Sequence, residues 1–588
     1  MSTNKWDNRN GGITLIALVI TIIVLLILAG VSIAMLTGDN GLLTQAAKAK
    51  EATEKAKEEE QALLADYASL IENNGESIYD TTTGANNPVL TSGMIPVKYD
   101  TEKGKWVICS STSTEWYDYS EDKKQWANVM LSDGKYYAEG ADVDTTNKEL
   151  ATAGTEVNED ELGSMFVWIP RFAYKISSGY HNSSGAMEVK FLIGRTNKTI
   201  DNATIVDYNS TTTNNYTSFP EGYVVHPAFK DGSSTGYANG EWKSELLGLW
   251  VAKFQAGFAT TENDTTQKVT IASSASSPTT ATSVYYPVFK GRKYAYNYVS
   301  ASQCYDLSQA LSSDSNPYGL TSMSNSHLMK SSEWGAVAYL SISQYGYSDG
   351  SSSKEKAKNN LSVVNSSSVS SSPVTNPNNS GWKITAITGY SATTGKASQN
   401  VMSFTSTSDL TDEVSGTNGT SYAWNNCNAN SDSGNGTLSS TTGNIYGVYD
   451  MGGCLADYTA SYINATGVSY LTTYGGRFAT GTSTYLATAY PYQTDKSITY
   501  TTDYKDFNSA YPGFGKIFGD AIWETSSKTG SGKAWFGQTL EEDGHASEVF
   551  FPRGGYWYIT DHVGLCGLND TYGAAHNYYG FHSVLVVE

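Results

Sequence analysis

Carboxylate and imidazole side chains that could move a proton gather in the stretch 550–588, FFPRGGYWYITDHVGLCGLNDTYGAAHNYYGFHSVLVVE. Asp561 sits beside His562, and Asp570 lies near His576. A carboxylate next to an imidazole fixes its tautomer and supports its charged form, as general acid–base work requires. No nucleophile–base arrangement accompanies these pairs, so ligand contact is the simpler reading. The surrounding alphabet agrees: between positions 558 and 579 there is no Trp, Met, Lys, Gln or Glu, but much Tyr, His, Asn, Asp, Thr and Gly. Tyrosine gives a large contact area at low entropy cost, and small polar side chains give adaptable hydrogen bonds. The expected contacts are Tyr556, Trp557, Tyr558, Thr560, Asp561, His562, Asn569, Asp570, Tyr572, His576, Asn577, Tyr578 and Tyr579. No catalytic residue, metal ligand or cofactor is expected.

The remaining sequence offers no competing constellation. Its 7 histidines form no HExxH pattern, and neither GxSxG nor a phosphate loop occurs. Cys109, Cys304, Cys427, Cys454 and Cys566 are scattered without a CxxC, which argues against a zinc site. A disulfide such as one between Cys427 and Cys454 stays open, because connectivity does not follow from sequence. A net charge of −20 and a pI near 4.8 set the chain against polyanions, so nucleic acid is not an expected partner. The small basic run Lys290-Gly291-Arg292-Lys293 reads as solvated loop charge.

The elements that must position the tail follow from composition. Of 588 residues only 16% are charged, while Gly and Tyr number 55 and 42. This predicts many strands joined by Gly/Ser/Thr/Asn loops outside the first segment. The run 13–36, from Ile13 to Leu36, carries no charge and is long enough to cross a bilayer. Lys5 and Arg9 precede it, which places the remainder outside the cell. A cleaved secretory signal or a plain anchor is the alternative; the apolar core is long for a signal peptide. Residues 42–71 are rich in Ala, Lys and Glu at helical spacing. A helix continuous over 13–71 would extend about 88 Å at about 1.5 Å per residue. The expected class is therefore α+β and multidomain: a leader 1–12, a long N-terminal helix 13–72, a linker 73–88, a small β module 89–148, a linker 149–163 and a large domain 164–588. Trp106, Trp116 and Trp126 are either the core of the small module or sugar-stacking residues. The polar inserts 260–283, 348–380 and 405–442 are expected as exposed loops.

Gly12-Ile13-Thr14-Leu15-Ile16 followed by an apolar helix resembles the N-terminal segment of type IV pilins and pseudopilins. The resemblance implies cleavage between Gly12 and Ile13 and other pilin-like subunits as partners. It also implies a structural minor pilin as an alternative function. Ala17 stands where that family carries the acidic residue used in polymerisation.

Further along, four motifs fall in order: Glu333-Trp334 at the start of a helical run, then Gly447, Asp450, Met451, Gly453 and Asp457, then Arg553-Gly554-Gly555, then Gly580-Phe581. Their order resembles the formylglycine-generating-enzyme, or sulfatase-modifying, branch of the C-type-lectin fold. The family's two copper-binding cysteines fall on Ile559 and Gly564, so the resemblance carries the fold and not the oxidase. The interval between RGG and GF also resembles the variable segment of proteins diversified by retroelements. There, randomised adenines yield codons that cannot encode Trp, Met, Lys, Gln or Glu. Either such randomisation or the charge-poor composition of the whole chain explains the alphabet. Together these resemblances imply a bacterial membrane or pilus-associated adhesin, its head outside the cell, binding a protein or glycan on a cell, phage or host surface.

Overall fold

Apolar runs covered on both sides set the centre of the fold. The structure, a computed structural model, describes residues 19–25, 50, 53, 57, 77–180, 182, 185–206, 219–234, 236–259, 268–274, 277–322, 324–347, 374–392, 410–416, 419–464, 468–479, 484–491, 517–525, 535, 548–556, 564–569 and 571–587. The chain divides into two compact units, Met1–Glu72 and Asn73–Glu588.

In the first unit, residues 19–25 are helical, as are positions 50, 53 and 57. The rest of the expected helix 13–72, with Gly12 and Ile13, lies outside the described residues. The expected α+β class with a long N-terminal helix is corrected: among the described residues the structure is mostly β, its helices are short, and no long N-terminal helix is present. The side chains of Val19, Ile20, Ile22, Ile23, Val24 and Leu25 are exposed, and helices draw most of their stability from a packed face. No helix among the described residues is long and apolar enough to cross a membrane.

The second unit is built on one antiparallel sheet. Its strands are β1 (Met94–Asp100), β2 (Lys105–Ile108), β3 (Asn128–Leu131), β4 (Glu156–Val157), β5 (Met165–Pro170), β6 (Gly248–Ala252), β7 (Ser324–Leu328) and, later in the chain, the strand Ser583–Val587. The spatial order is β7, Ser583–Val587, β6, β5, β3, β1, β2, β4. β5 and β6 are buried at every position, which is why their sequences read as unbroken apolar runs. The strands expected as a separate β module are not separate, because β3 pairs with β5 through Asn128↔Val167 and Val129↔Phe166. Trp106, Trp116 and Trp126 are buried, so they are core and not a sugar platform.

Helix α1 (Ala301–Gln309) is opened by a Ser300 cap, and α2 (Ser331–Ile342) is buried along its whole length. The cap of α2 is Lys330, whose backbone amide donates to Glu333 at 2.8 Å. All three inserts expected as exposed loops carry structure. Lys268–Ser274 pairs with Ser277–Tyr285, Thr375–Asn376 pairs with Asn379–Lys383, and Glu413–Gly416 pairs with Gly419–Ala423. In the last of these inserts Ser421, Thr437, Ser439, Ser440 and Thr441 are buried. Their hydroxyls find partners: Ser391 Oγ lies 2.5 Å from Ser439 Oγ and donates to the Gly436 carbonyl at 2.7 Å. A satisfied hydroxyl loses most of its burial penalty.

Opposite the main core, Lys253 is buried without a carboxylate. Its ammonium donates to Asn128 Oδ1 at 2.9 Å, Ile445 O at 2.6 Å and Gly447 O at 2.9 Å. The rings of Trp106, Trp424 and Tyr449 lie 5.5, 5.7 and 5.3 Å away. Burial holds its pKa well below the ordinary lysine value. Lys253→Met would keep the stem and strand three buried acceptors. Urea denaturation should show a loss of about 2–4 kcal/mol; unchanged stability would mean that water can take over those bonds.

Candidate functional site

The RGG turn and the GF dipeptide are brought together by one short strand. β8 (Ala456–Asp457) pairs antiparallel with β9 (Arg553–Gly554) and parallel with β11 (Tyr579–Gly580), while β10 (Gly564–Leu568) flanks β9. After β11 the chain runs through Phe581 and His582 into β12 (Ser583–Val587), the internal strand of the large sheet. Both ends of the interval 555–578 are thus fixed to the same two residues.

The floor beneath this interval is buried. Arg553 donates to the carbonyls of Asp520 at 2.8 Å, Ala521 at 3.3 Å, Leu565 at 3.4 Å and Gly567 at 3.3 Å. Its guanidinium lies 5.5 Å from the Trp334 ring, whose Nε1 donates to Leu565 O at 2.8 Å. Gly554 has φ +79°, and a Cβ there would come within 2.7 Å of Met451 O and 3.0 Å of Trp334. Gly555 has φ 65°, and Gly453 N donates to Gly554 O at 3.1 Å. Asp450 turns its carboxylate onto Gly389 N at 2.9 Å. Gly447 is packed against Ser440 and Thr441, so closely that a Cβ would collide with both.

Two buried imidazole–carboxylate pairs brace this floor. His327 Nε2 lies 3.0 Å from Glu333. Burial would raise the Glu333 carboxyl, but His327 and Lys330 outweigh it and bring the value down to about 2. His582 Nδ1 lies 2.9 Å from Asp457 Oδ2, and its Nε2 lies 3.1 Å from Tyr449 O. Burial alone would lower His582; the Asp457 carboxylate prevails and raises it. With an acceptor at each nitrogen, the doubly protonated ring suits this site. Glu333, Trp334, Asp457 and Arg553 are therefore structural, as is Phe581, which packs 6.0 Å from Tyr296.

Of the expected contact residues, Trp557, Tyr558, Thr560, Asp561, His562 and Asp570 lie outside the described residues. The others divide into three groups. Tyr556 and Tyr578 stack at 4.4 Å and 12°, and His576 lies 4.5 Å from Tyr578 and 5.9 Å from Tyr579. His576 is exposed, and the three tyrosines are half-buried. Tyr572 belongs elsewhere, 4.9 Å from Tyr470. Asn569 and Asn577 are buried: Asn569 N donates to Pro552 O at 3.0 Å, and Asn577 O accepts from Thr385 Oγ1 at 2.6 Å. The structure thus gathers Tyr556, His576, Tyr578 and Tyr579 into one aromatic face. Cys566 is not in an open loop but in buried β10, where burial pushes its thiol up to about 12. No disulfide joins the five cysteines. Among the described residues no cluster of three or more His, Cys, Asp or Glu is placed to hold a metal ion.

Several residues of this region escaped the sequence reading. His582 carried one signal, its place directly after Gly580-Phe581. Glu524 carried none, although it sits under the floor, accepting from Tyr174 OH at 2.8 Å, Tyr339 OH at 2.6 Å and Gly519 N at 2.9 Å. The basic run also reads differently in space. Arg292 is bound to Glu159 at 2.8 Å and Asp412 at 2.7 Å. With Lys290, Lys293, Asp160 and Trp424 it lines a cleft of about 530 Å³ to which no residue of the aromatic face contributes.

Burial raises the Glu524 carboxyl from 4.5 to about 7, outweighing its three donors. A carboxyl raised on folding is most favourable while protonated. Stability should fall as pH rises from 4.5 to about 7 and then level off, by about 3 kcal/mol in total. Glu524→Gln should remove this slope in urea denaturation between pH 5 and 8; an unchanged slope would place its origin in another group. In comparisons with known proteins, no protein-family model and no curated protein matches this sequence.

Proposed function

We propose that this chain is a surface-displayed binding protein whose ligand-contacting face is the aromatic cluster of the interval 556–579. The observation that carries the reading is the contrast between floor and face. Arg553, Trp334, Asp457 and His582 are buried and hydrogen-bonded within the fold, whereas His576 is exposed and Tyr556, Tyr578 and Tyr579 are half-buried. A rigid base under adaptable aromatic residues is the arrangement of a recognition surface. The restricted alphabet of 558–579 and the order of motifs around it support a likeness to retroelement-diversified proteins. The uncharged run 13–36 after Lys5 and Arg9 supports attachment at a membrane.

The test is binding of the full chain, in detergent, to arrayed glycans and cell- and phage-surface proteins. Tyr556→Ala with Tyr578→Ala should weaken the selected ligand by at least about tenfold, the equivalent of about 1.4 kcal/mol, without lowering the melting temperature. Equal binding by the double variant would sink the reading. Diversification makes its own prediction: a near-copy of the 558–579 coding segment, differing at adenines, should lie beside a reverse-transcriptase gene.

A further inference from the structure

Every described tryptophan except Trp382 is buried. Trp382 is 36% exposed and sits on the strand Asn379–Lys383, outside the interval 556–579. Its ring stacks on Tyr298 at 4.2 Å and 26°. Tyr298 adopts φ 59°, a left-handed conformation that costs a bulky residue about 1–3 kcal/mol and persists only where surroundings enforce it. The enforcing contact comes from the candidate face itself: Tyr298 N donates to His576 O at 3.0 Å. The hairpin bearing Trp382 is tied in as well. Asn376 Nδ2 donates to Asn297 Oδ1 at 2.9 Å, Asn297 Nδ2 donates to Lys383 O at 3.1 Å, and Thr385 Oγ1 donates to Asn577 O.

We propose that Tyr298 and Trp382 form a fixed aromatic ledge that extends the binding face beyond the C-terminal interval and seats the apolar face of a neutral hexopyranose. The proposal rests on the binding reading above and names its ligand class. The C–H face of a sugar ring is slightly positive and settles on the negative face of an indole or phenol ring. The two rings of the ledge are uncharged, and burial, then the Tyr578 hydroxyl, raises the Tyr298 phenol further. The nearest cation in sequence, Lys383, is turned to Thr375 Oγ1 at 3.0 Å. A neutral ledge on a chain of net charge −20 favours uncharged sugars over acidic ones.

The experiment titrates gluco-, galacto- and manno-configured hexasaccharides into the full chain in detergent, read by calorimetry and by protection of tryptophan fluorescence from acrylamide. At least one oligomer should bind saturably. Trp382→Ala should weaken it at least about tenfold, Trp382→Phe should recover most of the loss, and the melting temperature should not move. No saturable binding by any hexasaccharide, or equal binding by Trp382→Ala, overturns the ledge. In the second case, loss of the sugar in the Tyr556→Ala, Tyr578→Ala variant would leave the binding reading standing. Loss in Trp382→Ala alone, with the tyrosine pair indifferent, would keep the ledge and overturn the interval as the contact face.

Discussion

A buried guanidinium, hydrogen-bonded to backbone carbonyls and supported electrostatically by the buried Asp520 carboxylate, holds this part of the molecule together. Arg553 donates to backbone carbonyls and lies over the face of Trp334. Those carbonyls belong to the segments around 520 and 565, which are remote from one another in sequence, so one side chain crosslinks three stretches of backbone. Leaving a charge of this kind unpaired in an apolar interior would cost far more than any single packing contact. The geometry around it is correspondingly strict. Gly554 cannot carry a side chain because Met451 and Trp334 occupy the space, and Trp334 is itself tied to the carbonyl of Leu565. Removing any of these parts would release the strand that fixes both ends of the recognition interval.

Sequence legibility followed burial. MFVWIP, and VLV in the last strand, read as unbroken apolar runs because each is covered on both faces. Helix α2 was readable as a helical run; its cap was not, because Ser331 and Ser332 are better capping types than Lys330, to whose amide Glu333 reaches back. What could not be read depended on partners distant in the chain. The register of β3 against β5 is set by a joint core, so the first strands looked like a module of their own. Ser391 and Ser439 looked like loop residues because serine is polar, yet each satisfies the other inside. The aromatic face was legible as a composition; its division into Tyr556–Tyr578–His576, a Tyr572 packed on Tyr470 and two buried asparagines was not.

The division of labour within 550–588 has a physical basis. Residues that bond to the fold, such as Arg553 and His582, point down and are saturated. Residues such as Tyr556 and Tyr578 stack on one another and are only half-buried. Substitutions among the latter change shape and chemistry at the surface, while the hydrogen bonds of Arg553 and His582 below are made by other side chains. A surface built this way tolerates sequence change where it is useful.

The position of β12 has a consequence for how the protein comes into being. It lies inside the large sheet, between β7 and β6, which are made much earlier in the chain. Until β12 is made, the edges of β6 and β7 that it bonds in the finished sheet have no strand to pair with. Pairing across so long a separation is slow, and open edges invite association with other chains. This side of the sheet closes only when its next-to-edge strand arrives, long after both of its neighbours have been synthesised.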